Sequence, residues 1–145
     1  MMRSAWWTAV LLLAACGMGR DTEEYQAAVD ELEATVATHE ASAALTQTAA
    51  DCASEQSRYD VAARAGVERL SGMAGAMDGM GRGMRGGPRP FAPMCQAMSV
   101  ELSVHAGQAC TGASSTWAAE VVRHCGAMRE WLTQQRQAVT THCGR

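Results

Sequence analysis

From Thr22 to Gln47 the chain carries neither Gly nor Pro, and its buried-type positions fall at Tyr25, Val29, Leu32, Val36, His39 and Ala43. Steps of four and three place these residues on one face of a helix. Thr22, Glu23 and Glu24 supply a hydroxyl and two acidic groups at its start, where they satisfy free amides and suit the helix dipole. A stripe this regular needs a second surface to cover it, which directs the rest of the chain toward helix packing.

The remaining segments supply that surface. Thr48-Ala-Ala-Asp51 has the form of a capping box, and Cys52, Tyr59, Ala63, Gly66, Leu70, Met73 and Met77 follow at helical spacing. One uninterrupted helix from 22 to about 71 is the alternative. Gly recurs at 72, 75, 79, 81, 83, 86 and 87, followed by Pro88, Pro90 and Pro93, so a flexible loop is expected over about 72–93. A third helix is expected from about Met94 to Ala109, with Cys95, Met98, Leu102, His105 and Ala109 on one face. A turn follows over Cys110 to Ser115. The fourth helix carries Ala118, Val121, Cys125, Met128, Leu132, Gln135, Val139 and His142 as a heptad seam widened by Trp117, His124 and Trp131. Ile is absent and Phe occurs once, which disfavours sheet. The expected fold class is all-α, an antiparallel helical bundle of three to four helices with a Gly/Met/Pro-rich central loop.

The amino terminus has a different design. Arg3 precedes an apolar run from Ala5 to Ala15, about 11 residues against the roughly 20 that span a bilayer. The run ends in Leu13-Ala14-Ala15-Cys16, which resembles the lipobox of bacterial lipoproteins. That resemblance implies removal of residues 1–15, lipidation of Cys16, and a short tether over 16–21 leading into a bundle domain over 22–145. Two or three acyl chains give stable anchoring where one does not. Gly17 stands where an inner-membrane retention residue would sit, so the resemblance implies the outer membrane, facing the periplasm. An ordinary cleaved signal peptide and an uncleaved anchor are the competing readings of the same run.

Export fixes how the cysteines are read. Cys52, Cys95, Cys110, Cys125 and Cys143 remain after Cys16 is lipidated, and an oxidising compartment favours pairing. In an up-down-up-down bundle Cys52 and Cys110 come to one end, and Cys95 and Cys125 fall at similar depths. Cys143 is then left over. Four cysteines allow three connectivities, so these pairs are expectations. The formal net charge of −3, with all 12 basic residues Arg, argues against nucleic acid as a partner.

His39, His105, His124 and His142 all lie on or beside apolar helix faces. Buried imidazole must be hydrogen-bonded, ionised beside a partner, or metal-ligating. Two readings follow: satisfied boundary histidines, or a mixed nitrogen and sulfur site using His105 and His124 with Cys95, Cys110 and Cys125 nearby, which suits zinc or copper. Met73, Met77, Met80 and Met84 step by four, three and four, a soft-ligand spacing that loosely resembles periplasmic copper-handling proteins. The competing reading is methionine filling gaps at a frayed helix end. Gly81-Arg-Gly-Met-Arg-Gly86 matches a dinucleotide pattern but no strand precedes it. No nucleophile, base and orienting group stand together, so a non-catalytic binding or structural role beside an envelope protein partner is expected. Soft-metal handling is the alternative.

Overall fold

The computed structural model describes residues 5–46, 48–80, 89–108, 110 and 114–143, with side chains from Gly19 onward except at 114, 115, 142 and 143. Four helices are present: α1 (Ala5–Ala43), α2 (Ala49–Met80), α3 (Phe91–Ala106) and α4 (Ser114–Cys143). Each packs against its two neighbours in the cyclic order α1, α2, α3, α4, with slight contact between α2 and α4 across the diagonal. This is an all-α antiparallel bundle. Among the described residues no helix is long and apolar enough to cross a membrane.

The periodic stripes become the core. Tyr25, Val29, Leu32, Val36, His39 and Ala43 are all buried, as are Val121, Cys125, Met128, Leu132, Gln135 and Val139. Burying a Leu- or Val-sized side chain stabilises by about 1.5–3 kcal/mol, so these faces dominate the fold. Gly66 lets α1 and α2 approach closely, since a β-carbon there would lie 3.0 Å from Leu32 Cδ1. The break between α1 and α2 is real, which excludes the single long helix. Thr48 and Asp51 form the expected capping box, with Thr48 N–H donating to Asp51 at 3.2 Å and Asp51 N–H to Thr48 Oγ1 at 3.1 Å.

Four boundaries differ from expectation: α1 does not start at Thr22 but runs unbroken from Ala5 through the stretch 16–21 expected as a tether, α3 ends at Ala106 rather than Ala109, and the central loop is displaced at both ends. The loop expected over 72–93 is shorter at both ends, because α2 continues through Gly72, Gly75 and Gly79 to Met80. Each helical Gly costs about 1 kcal/mol relative to Ala. The stripe of Leu70, Ala74 and Met77 nevertheless stays buried along that stretch, and its packing offsets the cost. At the other end α3 starts at Phe91 rather than Met94. Pro93 falls in its first turn, where the missing N–H has no intrahelical partner to lose. Pro90 offers no side-chain cap, and the buried Asp78 of α2 takes over. Phe91 N–H and Ala92 N–H donate to its two carboxylate oxygens at 3.1 and 3.2 Å.

A disulfide joins Cys52 to Cys110 across 58 residues, as the bundle topology implies. The second expected pair is corrected: Cys95 and Cys125 are both free and buried. Cys95 Sγ accepts from Gln135 Nε2 at 3.6 Å, so it is level with a residue ten positions along α4 from Cys125. Ten residues of helix separate the two levels by about 15 Å, too far for a bridge. The equal-depth estimate fails because α4 begins about two turns above the point where α3 stops. Cys16, Met84, His142 and Cys143 lie outside the residues whose side chains are described.

Candidate functional site

One layer of the bundle is built from rings rather than aliphatic groups. His39 of α1, Tyr59 of α2, His105 of α3 and His124 of α4 each point inward, and none is more than 1% exposed. The layer lies near the disulfide-bonded end, since His39 is four residues from the end of α1 and His105 one residue from the end of α3.

The four rings form two stacked dyads. His39 lies face to face with Tyr59, ring centroids 3.9 Å apart and planes within 9°. His105 and His124 stack at 3.9 Å and 8°. The dyads meet edge to face: His39 and His105 at 5.3 Å and 77°, Tyr59 and His124 at 5.4 Å and 80°. Edge-to-face contact is the arrangement that aromatic quadrupoles favour. Trp117 closes one side, edge-on to His39 at 6.1 Å.

A carboxylate holds the outer nitrogen of every imidazole. His39 Nδ1 contacts Glu55 at 2.8 Å, His105 Nδ1 contacts Glu120 at 3.2 Å, and His124 Nδ1 contacts Glu101 at 2.8 Å. Arginines keep these carboxylates ionised. Arg58 binds Glu55 at 2.6 Å, and Arg123 binds both Glu101 and Glu120 at 2.7 Å. Arg123 first, and His105 after it, hold the Glu120 carboxyl down at about 2 against the opposing effect of burial. Burial alone would raise Glu55 and Glu101, but their hydrogen bonds outweigh it and leave both below the usual carboxylate range. Burial pushes the imidazoles the other way. His39 and His105 are lowered by desolvation, and His124 is lowered by desolvation and by neighbouring His105 to about 4. The resting layer is therefore three neutral imidazoles beside three ionised carboxylates.

That protonation state assigns the hydrogens. A carboxylate only accepts, so each Nδ1 carries the hydrogen and donates, leaving each Nε2 with a lone pair. The Tyr59 hydroxyl, its pKa raised chiefly by burial, donates to His124 Nε2 at 2.8 Å. His39 Nε2 and His105 Nε2 face each other at 3.2 Å. With both rings neutral, two lone pairs meet there, and a proton on either ring would bridge them. Among the described residues no three His, Cys, Asp or Glu side chains already converge on a common point at metal-ligand distances.

The layer repeats an internal pattern. Glu55-x-x-Arg58-Tyr59 on α2 matches Glu120-x-x-Arg123-His124 on α4, each 65 residues apart, and His39 on α1 matches His105 on α3, 66 apart. The stacked dyads correspond, as do the His39–Glu55 and His105–Glu120 contacts. A pseudo-twofold axis along the bundle thus relates the α1–α2 hairpin to the α3–α4 hairpin. This repeat was legible in the sequence, and it marks Tyr59, Glu55 and Glu120 as site residues that ligand spacing alone misses; Glu101 has no counterpart in it and is found only from the fold.

The structure brings His105 and His124 together, as the sequence suggests, and adds His39 and Tyr59 to them. The methionines stand elsewhere. Met77 is buried in the core, and Met73 and Met80 pack against it. Met73 is 14 residues along α2 from Tyr59, about 21 Å at the helical rise, so this run does not share a site with the histidines. Cys125 is near the layer but inert: burial first, and Glu40 after it, push its thiol up to about 12, and its Sγ donates to the Val36 carbonyl at 3.7 Å. Cys95, raised by burial, sits in a separate cluster with Tyr25 and Gln135. No protein-family model, curated protein or solved structure matches this chain.

Proposed function

We propose that this protein is a lipid-anchored envelope protein whose helical bundle serves as a non-catalytic binding module. The observation that carries the anchoring is Leu13-Ala14-Ala15-Cys16 at the end of a short apolar run. Lipidation of Cys16 would tether the bundle to the outer membrane on its periplasmic side. The Cys52–Cys110 disulfide supports an oxidising compartment, where such bonds persist.

The binding role draws on the ring layer. Three imidazoles are out of water, held by carboxylates and wedged between stacked partners, so they are positioned without freedom to follow a reacting substrate. An open groove beside this level is lined by Gln56, Ser57, Asp60, Ala106, Gln108 and Cys110.

Changing Cys16 to Ser and following fractionation and intact mass tests the anchor. Loss of membrane association and of the mass of two or three acyl chains is expected. A protein of unchanged mass that stays with the membrane would overturn the reading.

A further inference from the structure

We propose that the ring layer is a binding site for a divalent transition-metal ion of the zinc or copper(II) class, with His39 Nε2 and His105 Nε2 as its founding ligands. The inference deepens the binding role and is independent of the anchor at Cys16.

Three observations on separate parts of the layer agree. First, the two Nε2 atoms stand 3.2 Å apart with their lone pairs facing each other. Two imidazoles bound to one ion at 2.0–2.1 Å and separated by that distance subtend about 100°, close to a tetrahedral angle. Two neutral acceptors at that distance repel unless a proton or a metal ion lies between them. Second, each of the three imidazoles donates Nδ1–H to a carboxylate that an arginine keeps ionised. Metal-bound histidine is characteristically oriented by such a carboxylate, which fixes the tautomer and raises the basicity of the coordinating nitrogen. Third, the next two polar atoms of the layer are also donor atoms, His124 Nε2 and Tyr59 Oη, 2.8 Å apart. They belong to the rings stacked against His105 and His39, so the layer offers three nitrogens and one oxygen in all, a composition that imidazole-preferring divalent ions accept.

Charge supports the assignment. Glu55, Glu101 and Glu120 bring three negative charges and Arg58 and Arg123 two positive ones, so the neutral-imidazole layer holds one negative charge in excess. A divalent cation takes the layer from one negative to one positive charge, so it meets attraction on entry. The layer is within one helical turn of the ends of α1 and α3, though α2 and α4 run about 15 Å beyond it. Gln56, whose Nε2 reaches the His105 carbonyl, has its Oε1 buried without a hydrogen-bond partner.

The test is a zinc titration of the chelator-stripped bundle, followed by calorimetry and by long-range proton–nitrogen spectra of the histidine rings. One equivalent should bind with a dissociation constant below about a micromolar. The Nε2 resonances of His39 and His105 should move to metal-bound positions while all three Nδ1 remain protonated. His39→Gln and His105→Gln should each weaken binding at least a hundredfold, and Met77→Leu should leave it unchanged. Binding weaker than about 10 micromolar, Nε2 resonances unmoved at saturation, or undiminished affinity in folded His39→Gln would each overturn the assignment. Should the Gln variants fail to fold, the wild-type ring spectra decide alone. If zinc fails to bind while Cys16→Ser still abolishes anchoring, the layer is a structural element of an anchored protein.

Discussion

Reducing the Cys52–Cys110 disulfide tests the bundle at the end that carries the ring layer. The bond closes a loop of 58 residues. Chain-entropy scaling gives about 14 cal/mol/K for a loop of that length, so the unfolded state loses roughly 4 kcal/mol of conformational freedom at 25 °C. A domain of this size shifts its melting temperature by about 3–5 °C per kcal/mol, so reduction should lower it by about 15 °C. The assay is guanidinium unfolding of the Cys16→Ser bundle followed by helical circular dichroism, with and without reductant, and with a Cys52→Ser/Cys110→Ser double variant. The reduced protein and the double variant should share one midpoint, well below that of the oxidised protein. Alkylation under native conditions should spare Cys95 and Cys125, both buried, and reach them only in denaturant. Coincident oxidised and reduced midpoints, or a mapped disulfide containing Cys95 or Cys125, would refute the reasoning.

Two further outcomes follow from particular groups. Asp78→Ala removes two charge-assisted bonds to the first amides of α3 and should cost about 2 kcal/mol in denaturant unfolding, whereas capping surrogates such as Asp78→Asn should recover part of it. Acid should destabilise the chelator-stripped protein through His124, which faces His105, Glu101, Tyr59 and Arg123 in the layer. Its folded pKa of about 4 lies below the unfolded value near 6.5. The unfolded state therefore binds the proton first. Stability is full above pH 6.5, falls with pH, and has lost about 3 kcal/mol from this group by pH 4, where the loss levels off. The depressed carboxyls of Glu55, Glu101 and Glu120 add a further loss below about 4.5 as they protonate. Unfolding free energies measured between pH 4 and 8 check the slope, and a curve flat from 6.5 to 4 would exclude neutral buried His124.

Periodicity made the fold legible, and its limits explain the misses. The α1 stripe and the α4 seam were readable because a 3.6-residue repeat reports burial directly. Glycine content misled at the end of α2, since local propensity there opposes a helix that its own buried stripe of Leu70, Ala74 and Met77 holds against the core. The cap of α3 was invisible for a related reason. Asp78 is 13 residues before Phe91, and only the chain reversal brings them together. The false Cys95–Cys125 pair shows that depth counted from a turn assumes helices ending at one height, which α3 and α4 do not.

The ring layer was half visible because a stripe tells which residues go inside but not which way their polar atoms face. His105 and His124 were marked as burial-costly, yet their carboxylates were invisible to any search for closely spaced ligands. Glu101 and Glu120 lie on the flanks of α3 and α4 and meet His124 and His105 on the facing helix. The repeat of Glu-x-x-Arg followed by a ring is the sequence trace of that geometry, since Glu at the flank and the ring four residues later sit one helical turn apart. The point where the two halves differ is informative. Tyr59 replaces the histidine that the pseudo-twofold axis would place there, and Thr35 stands where Glu101 has its counterpart. A phenol has no second ring nitrogen and needs no carboxylate, so the two differences account for each other. What they leave is a layer with three oriented imidazoles and one hydroxyl. The hydroxyl supplies its hydrogen to His124, and only the nitrogens of His39 and His105 face each other with none. That pair can be closed by a shared proton or by a metal ion between the two nitrogens, and the zinc titration with ring spectra separates the two.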